Sequence, residues 1–177
     1  MSLRPESAVS PRRVSRDEMH IAAHKSDMVT EVFITARYQA DADTVFAQAL
    51  HLAEMKDAMS GIATYKGLPD GVVTQGDEFR VDVTLWGFLK TKGHVIKVET
   101  LDKTARILQS REHNPSVKHW DHTLSVQPSE SGCLWTDRVI IDAGWNTFGT
   151  ALFAKYVYSK RHRHRNALNA TAELRKL

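Results

Sequence analysis

The stretch Thr147–Leu177, TFGTALFAKYVYSKRHRHRNALNATAELRKL, decides the fold. It holds no proline, and its one glycine, Gly149, sits in the first turn, so the chain runs on as one helix of about 45 Å. At about 100° per residue, Phe153, Tyr156, Val157, Lys160, His164, Ala167, Leu168, Thr171 and Leu174 fall on one stripe. Lys155, Tyr158, His162, Arg165, Asn169 and Lys176 fall mostly opposite. The stripe is apolar at both ends and polar in the middle, at Lys160 and His164. An isolated helix is marginal in water. This one needs a partner surface, and the preceding chain supplies it.

That surface is a set of strands. MVTEVFITARY alternates Val32, Ile34 and Ala36 against Phe33, Thr35 and Arg37. Two short helices follow. Asp41 or Asp43 caps the first, with Val45, Phe46 and Leu50 inward, and His51–Met59 forms the second, ended by Gly61. Ile62–Lys66 reads as a strand, and GLPDG at 67–71 as a turn. Beyond Gly76 come long alternating runs. Phe79, Val81, Val83 and Leu85 share a face, then His94, Ile96 and Val98. Ile107 and Leu108 point to opposite faces. Trp120, His122, Leu124 and Val126 align, as do Trp135, Asp137, Val139 and Ile141. Short connections imply antiparallel neighbours, hence one curved sheet of about seven strands in an α+β fold.

The organisation is simple. Residues 1–26 read as a mobile N-terminal arm with Pro5, Pro11 and an Arg12, Arg13, Arg16 cluster, in which 17–23 is a candidate helical turn. Residues 27–177 read as one domain, large enough for a core. The net charge of +3 is too weak to signal specific nucleic-acid binding. Cys133 is the sole cysteine, which excludes an intramolecular disulfide and suits a reducing, cytoplasmic setting. No run is apolar for long enough to be a transmembrane helix, and acidic residues with arginines interrupt the first twenty residues, so no signal-peptide core is expected there. A homodimer is left open.

The element order is strand, two short helices, about six strands, long helix. Val32-Phe33-Ile34-Thr35-Ala36 leads into Ala42-Asp43-Thr44-Val45-Phe46, and Gly76-Asp77-Glu78-Phe79 opens the third strand. Trp120-x-His122-x-Leu124, Gly132 with Thr136-Asp137, and Arg165-x-x-Leu168 complete the set. In this order these motifs resemble the Bet v 1-like, START-related superfamily (SRPBCC; the polyketide cyclase/dehydrase-like group) over residues 28–177. The resemblance implies a helix-grip fold with a deep apolar cavity between sheet and helix. It also implies a ligand such as a lipid, sterol, polyketide, quinone or aromatic compound, and in some members cyclase or hydrolase chemistry. Fold alone does not choose among these.

Individual residues sharpen the expectation. His122 and Asp137 fall inward on neighbouring strands, where a carboxylate can orient an imidazole for acid–base work or simply fix register. Tyr156 is the candidate polar anchor beside them. Trp86, Trp120, Trp135, Phe148 and Phe153 are candidate cavity aromatics, with His94, His122, Tyr156 and Lys160 as polar ligand contacts. His119 and His122 point to opposite faces of a strand, and His162 and His164 lie about 200° apart on a helix, so neither pair suits a metal. No phosphate-binding or dinucleotide loop occurs, so no nucleotide cofactor is expected. The run Lys160–Arg165 reads as a solvated cationic surface. The expected function is binding of an apolar small molecule. The alternatives are a cyclase or dehydratase using His122, Asp137 and Tyr156, and an interaction module using the basic helix and arm.

Overall fold

The computed structural model describes residues 29–174, with side chains as far as Asn166. The N-terminal arm, its candidate turn at 17–23, and the side chains of Ala167, Leu168, Asn169, Thr171, Leu174 and Lys176 lie outside the described residues. The elements are β1 (Thr30–Tyr38), α1 (Ala42–Ala49), α2 (Leu52–Ala58), β2 (Ala63–Lys66), β3 (Glu78–Leu85) and β4 (Leu89–Asp102). They continue as β5 (Ile107–Asn114), β6 (Val117–Ser129), β7 (Gly132–Asp142), a 3-10 turn and α3 (Thr147–Leu174). One seven-stranded sheet has the order β1-β7-β6-β5-β4-β3-β2, antiparallel throughout. This is the expected helix-grip arrangement.

Local chemistry explains the elements. Asp41 caps α1 by accepting from Thr44 N–H at 2.8 Å. Asp43 is no cap; it pairs with Arg106 at 2.9 Å. The strict alternation in β7 becomes alternating burial, with Val139 and Ile141 fully removed from solvent. Each such side chain contributes roughly 1.5–3 kcal/mol. The sheet bends through register shifts at Val81/Val83, Val98/Thr100 and Glu112/Asn114, because each bulge kinks its strand and raises the local twist.

The face that α3 turns to the sheet differs from the expected stripe. Ala151, Ala154, Val157, Tyr158, Arg161, His162 and Arg165 are buried, whereas Tyr156 is 44% exposed. Lys160 and His164 are only half-buried. The buried face is displaced by roughly one residue's rotation, about 100°. Tyr158, His162 and Arg165, expected to face away, therefore point inward. Small side chains at Ala151 and Ala154 let the helix close on Val139 and Ile141. Asp137 and Glu54 then hold His162 and Arg165 inside. A stripe drawn through apolar residues alone has no means of seeing these partners. The cationic run Lys160–Arg165 is accordingly not a solvated surface: half of it is core.

Gly132 begins β7 with φ +134°, and a Cβ there would collide with the Tyr38 carbonyl oxygen. Gly132→Ala is expected to lower stability by about 2–4 kcal/mol, from the backbone strain and the clash together. Urea denaturation measures it, and an unchanged midpoint would contradict this account of the β1–β7 junction.

Candidate functional site

The long helix does not lie over the middle of the sheet. It packs on β1 and β7 and against α2. α1 covers part of β6, and between the inner faces of β3 to β6 and the helices lies a cavity of about 400 Å³. Its floor includes Phe79, Val83, Ile96, Val98, Leu108 and Leu124; α2 contributes Leu52 and Met55, and Met59 just past its end adds a third side chain. The wall formed by α3 includes Phe153, Val157, Tyr158 and Arg161. Exposed residues at the β3–β4 hairpin and the start of α3, among them Trp86, Leu89 and Asn146, border it. Trp86 adopts φ 49°, a conformation rare for a bulky residue, and meets Phe153 edge-on at 5.7 Å.

Two polar assemblies are built into the wall. In the first, Asn114 Oδ1 accepts from the Ser116 and Val117 amides, so its Nδ2 faces His94 Nδ1 at 3.2 Å. That fixes the tautomer: His94 Nδ1 accepts, and Nε2–H donates to Glu112 at 3.0 Å. Ser110 donates to the other Glu112 oxygen at 3.0 Å. Burial acts to raise the Glu112 pKa, but the bonds from His94 and Ser110 outweigh it and hold the carboxyl below its ordinary value.

The second assembly centres on Asp137, which has no solvent exposure. His122 Nε2–H donates to Oδ1 and His162 Nε2–H to Oδ2, each at 2.7 Å. His162 Nδ1 in turn accepts from the Tyr38 hydroxyl at 2.7 Å. Burial alone would raise the Asp137 pKa; the two histidine bonds overcome it and push the pKa far below the carboxylate range. Burial pushes the Tyr38 phenol up to about 12, so it remains a donor. The result is a chain of four groups, Tyr38–His162–Asp137–His122, running from beneath α3 to the cavity. His122 lines that cavity, and among the described residues its Nδ1 has no protein partner.

With this geometry in hand, comparison with known proteins gives a consistent answer. No protein-family model and no curated protein matches the sequence. Solved structures do match. Protein CV1439 from Chromobacterium violaceum aligns with TM-score 0.64 at 10% identity, covering 78% of this chain and 96% of its own. Protein Ms6760 from Mycobacterium smegmatis gives 0.63 at 11%, covering 78% and 89%. Ara h 8.0201 gives 0.56 at 7%, covering 77% and 97%. At 7–11% identity these likenesses show the fold alone, a helix-grip fold of the Bet v 1-like type.

On this Bet v 1-like frame the expected site residues divide. Trp86, His94, Trp120, His122 and Phe153 line the cavity. Asp137 stands behind His122 rather than in the lining. Trp135 lies under α3, where Tyr38, His162 and Arg165 pack on it and Arg165 Cζ sits 4.3 Å from its ring centre. Tyr156 and Lys160 lie outside the cavity lining, with the Lys160 ammonium 5.9 Å from the Tyr156 ring. Phe148, at 69% exposure, is also outside it. The tyrosine beside the His122–Asp137 pair is Tyr158, whose ring centre is 5.0 Å from that of His122. Sequence reasoning also passed over Arg161, Glu112 and Ser110. For Glu112 and Ser110 a signal existed, since both share the inward alternation of Leu108 on β5.

The Asp137 carboxyl holds its proton less readily folded than unfolded. Its stabilisation is therefore complete above the unfolded pKa near about 3.9 and is lost as pH falls below it. Asp137→Asn is expected to cost about 3–5 kcal/mol at neutral pH and to flatten the stability profile below pH ~4. Urea titrations across pH 2–7 (roughly the span of carboxylate titration) read both effects.

Proposed function

We propose that the protein binds an apolar small molecule, of the lipid, polyketide, quinone or aromatic kind, between the sheet and α3. The observation that carries this reading is the cavity itself. Protein interiors are close-packed, and unfilled volume forfeits dispersion contacts. About 400 Å³ walled mainly by aliphatic and aromatic side chains suits a ligand that supplies those contacts. The described helices include none long and apolar enough to cross a membrane. Cys133 is buried and free, which suits the cytoplasm as the working compartment.

Neutral Nile red is expected to bind saturably and to raise the melting temperature. Leu108→Trp, which fills the floor, should weaken that binding by about tenfold or more while leaving the circular dichroism spectrum unchanged. Unsaturable or absent binding by the parent protein would sink the proposal.

A second reading rests on His122. A cavity-facing imidazole whose other nitrogen is held by a buried carboxylate has the form of a general base. In that reading the protein is cyclase- or dehydratase-like, with Tyr158 rather than Tyr156 as the neighbouring hydroxyl. His122→Ala then abolishes turnover of a bound polyketide while ligand affinity persists; turnover at the parental rate removes the reading. The interaction-module alternative is not carried forward, because Arg161, His162 and Arg165 of its basic face are buried.

A further inference from the structure

Arg161 is 6% exposed and lines the cavity, yet among the described residues it forms no hydrogen bond or ion pair, and its Nε is buried without an acceptor. Every other charge around it is accounted for. Arg165 pairs with Glu54. Both oxygens of Asp137 are taken by histidine N–H groups. Glu112, the one carboxylate in the cavity lining, accepts from His94 and Ser110. What remains for Arg161 is the face of Trp135, 5.9 Å from its Cζ. Burial works against the Arg161 charge, but the carboxylates of Asp137 and Glu54 act on it through space and hold its pKa above the ordinary value, although neither accepts a hydrogen bond from it. A guanidinium carries five donors, and donors left unmet at an apolar cavity wall are costly without an acceptor in the cavity.

Two more donors stand in the same wall. The Tyr158 hydroxyl accepts from Trp120 Nε1 at 3.4 Å, and its own proton has no acceptor among the described residues. Tyr65 lines the cavity with its hydroxyl likewise free of a protein partner among the described residues. Burial raises the pKa of both phenols, to about 12 for Tyr65, so both keep their protons. We propose that the cavity takes an amphipathic acid, its apolar body over β3 to β6 and its carboxylate paired with Arg161, with the Tyr158 and Tyr65 hydroxyls as further donors. The inference rests on the binding reading above and specifies the ligand's head group.

The test compares head groups on a constant body. Dodecanoate, dodecan-1-ol and dodecylamine, with 2-naphthoate and 2-naphthalenemethanol as an aromatic pair, are titrated calorimetrically against the full chain. Each acid should bind about tenfold or more tighter than its alcohol, the range expected for a charge-assisted hydrogen bond. Arg161→Met should erase that preference, leave the alcohols within about threefold, and leave the ligand-free melting temperature equal or higher, because an unpaired buried charge has been replaced by an apolar side chain. Acid and alcohol binding equally to the parent protein, or the amine binding best, would overturn the head-group assignment while the apolar-binding reading stands. A large fall in the ligand-free melting temperature of Arg161→Met would mark the arginine as a structural partner of Asp137 and likewise overturn it. If none of the five compounds binds, both readings fall together.

Discussion

A single buried carboxylate joins sheet to helix. Asp137 projects inward from β7 and is saturated by two imidazoles, His122 from the neighbouring strand and His162 from α3. Such a group costs too much to bury unless its oxygens are matched, so the α3 rotation that presents His162 to Asp137 is strongly preferred. Tyr38 extends the chain to β1, tying the edge strand, the central strands and the helix through hydrogen bonds at 2.7 Å. Apolar packing supplies the bulk of the attraction between these layers, but it is non-directional. The polar chain selects one rotation among several that would bury similar area.

The cavity follows from where that contact lies. Because Asp137 is on β7, and β7 pairs with β1 near one edge of the sheet, α3 is drawn toward that edge. The strands β3 to β6 curve away through their bulges; α1 covers part of β6, and the rest is left to α2, the hairpin tip and whatever the cavity holds. One residue, His122, belongs to both halves: it anchors Asp137 and forms part of the cavity wall. Any chemistry or ligand contact at His122 is thus linked to the element that positions the helix.

The buried basic side chains of α3 divide their labour by position. His162 and Arg165 are structural, paired with Asp137 and Glu54 and packed on Trp135. Arg161 lies at the edge of that helix face, beside Val157, and lines the cavity. A helix presents residues three and four apart on one side, so these three and Tyr158 emerge together once the rotation is set.

Most of the architecture was legible in the chain. Alternation at Phe79–Leu85, Trp120–Val126 and Trp135–Ile141 assigned strands and inward faces correctly, because a strand's period of two leaves only two choices. Turn chemistry at 67–71 and an acidic cap for α1 were local and therefore readable, although the choice of Asp41 over Asp43 needed the structure, which pairs Asp43 with Arg106. The His122–Asp137 contact was foreseeable from the same alternation on adjacent strands. The helix face was not. A 3.6 period admits a continuum of rotations, and apolar spacing chose Tyr156 and Lys160 where electrostatic matching chose Tyr158, Arg161 and His162. The sequence by itself determined the elements, their order and which strand residues face the interior, since these depend on near neighbours. Only the tertiary structure decided which side of α3 is buried, that Trp135 belongs beneath the helix, and that Arg161 faces the cavity unpaired, since each depends on charges and aromatic rings brought together from distant parts of the chain.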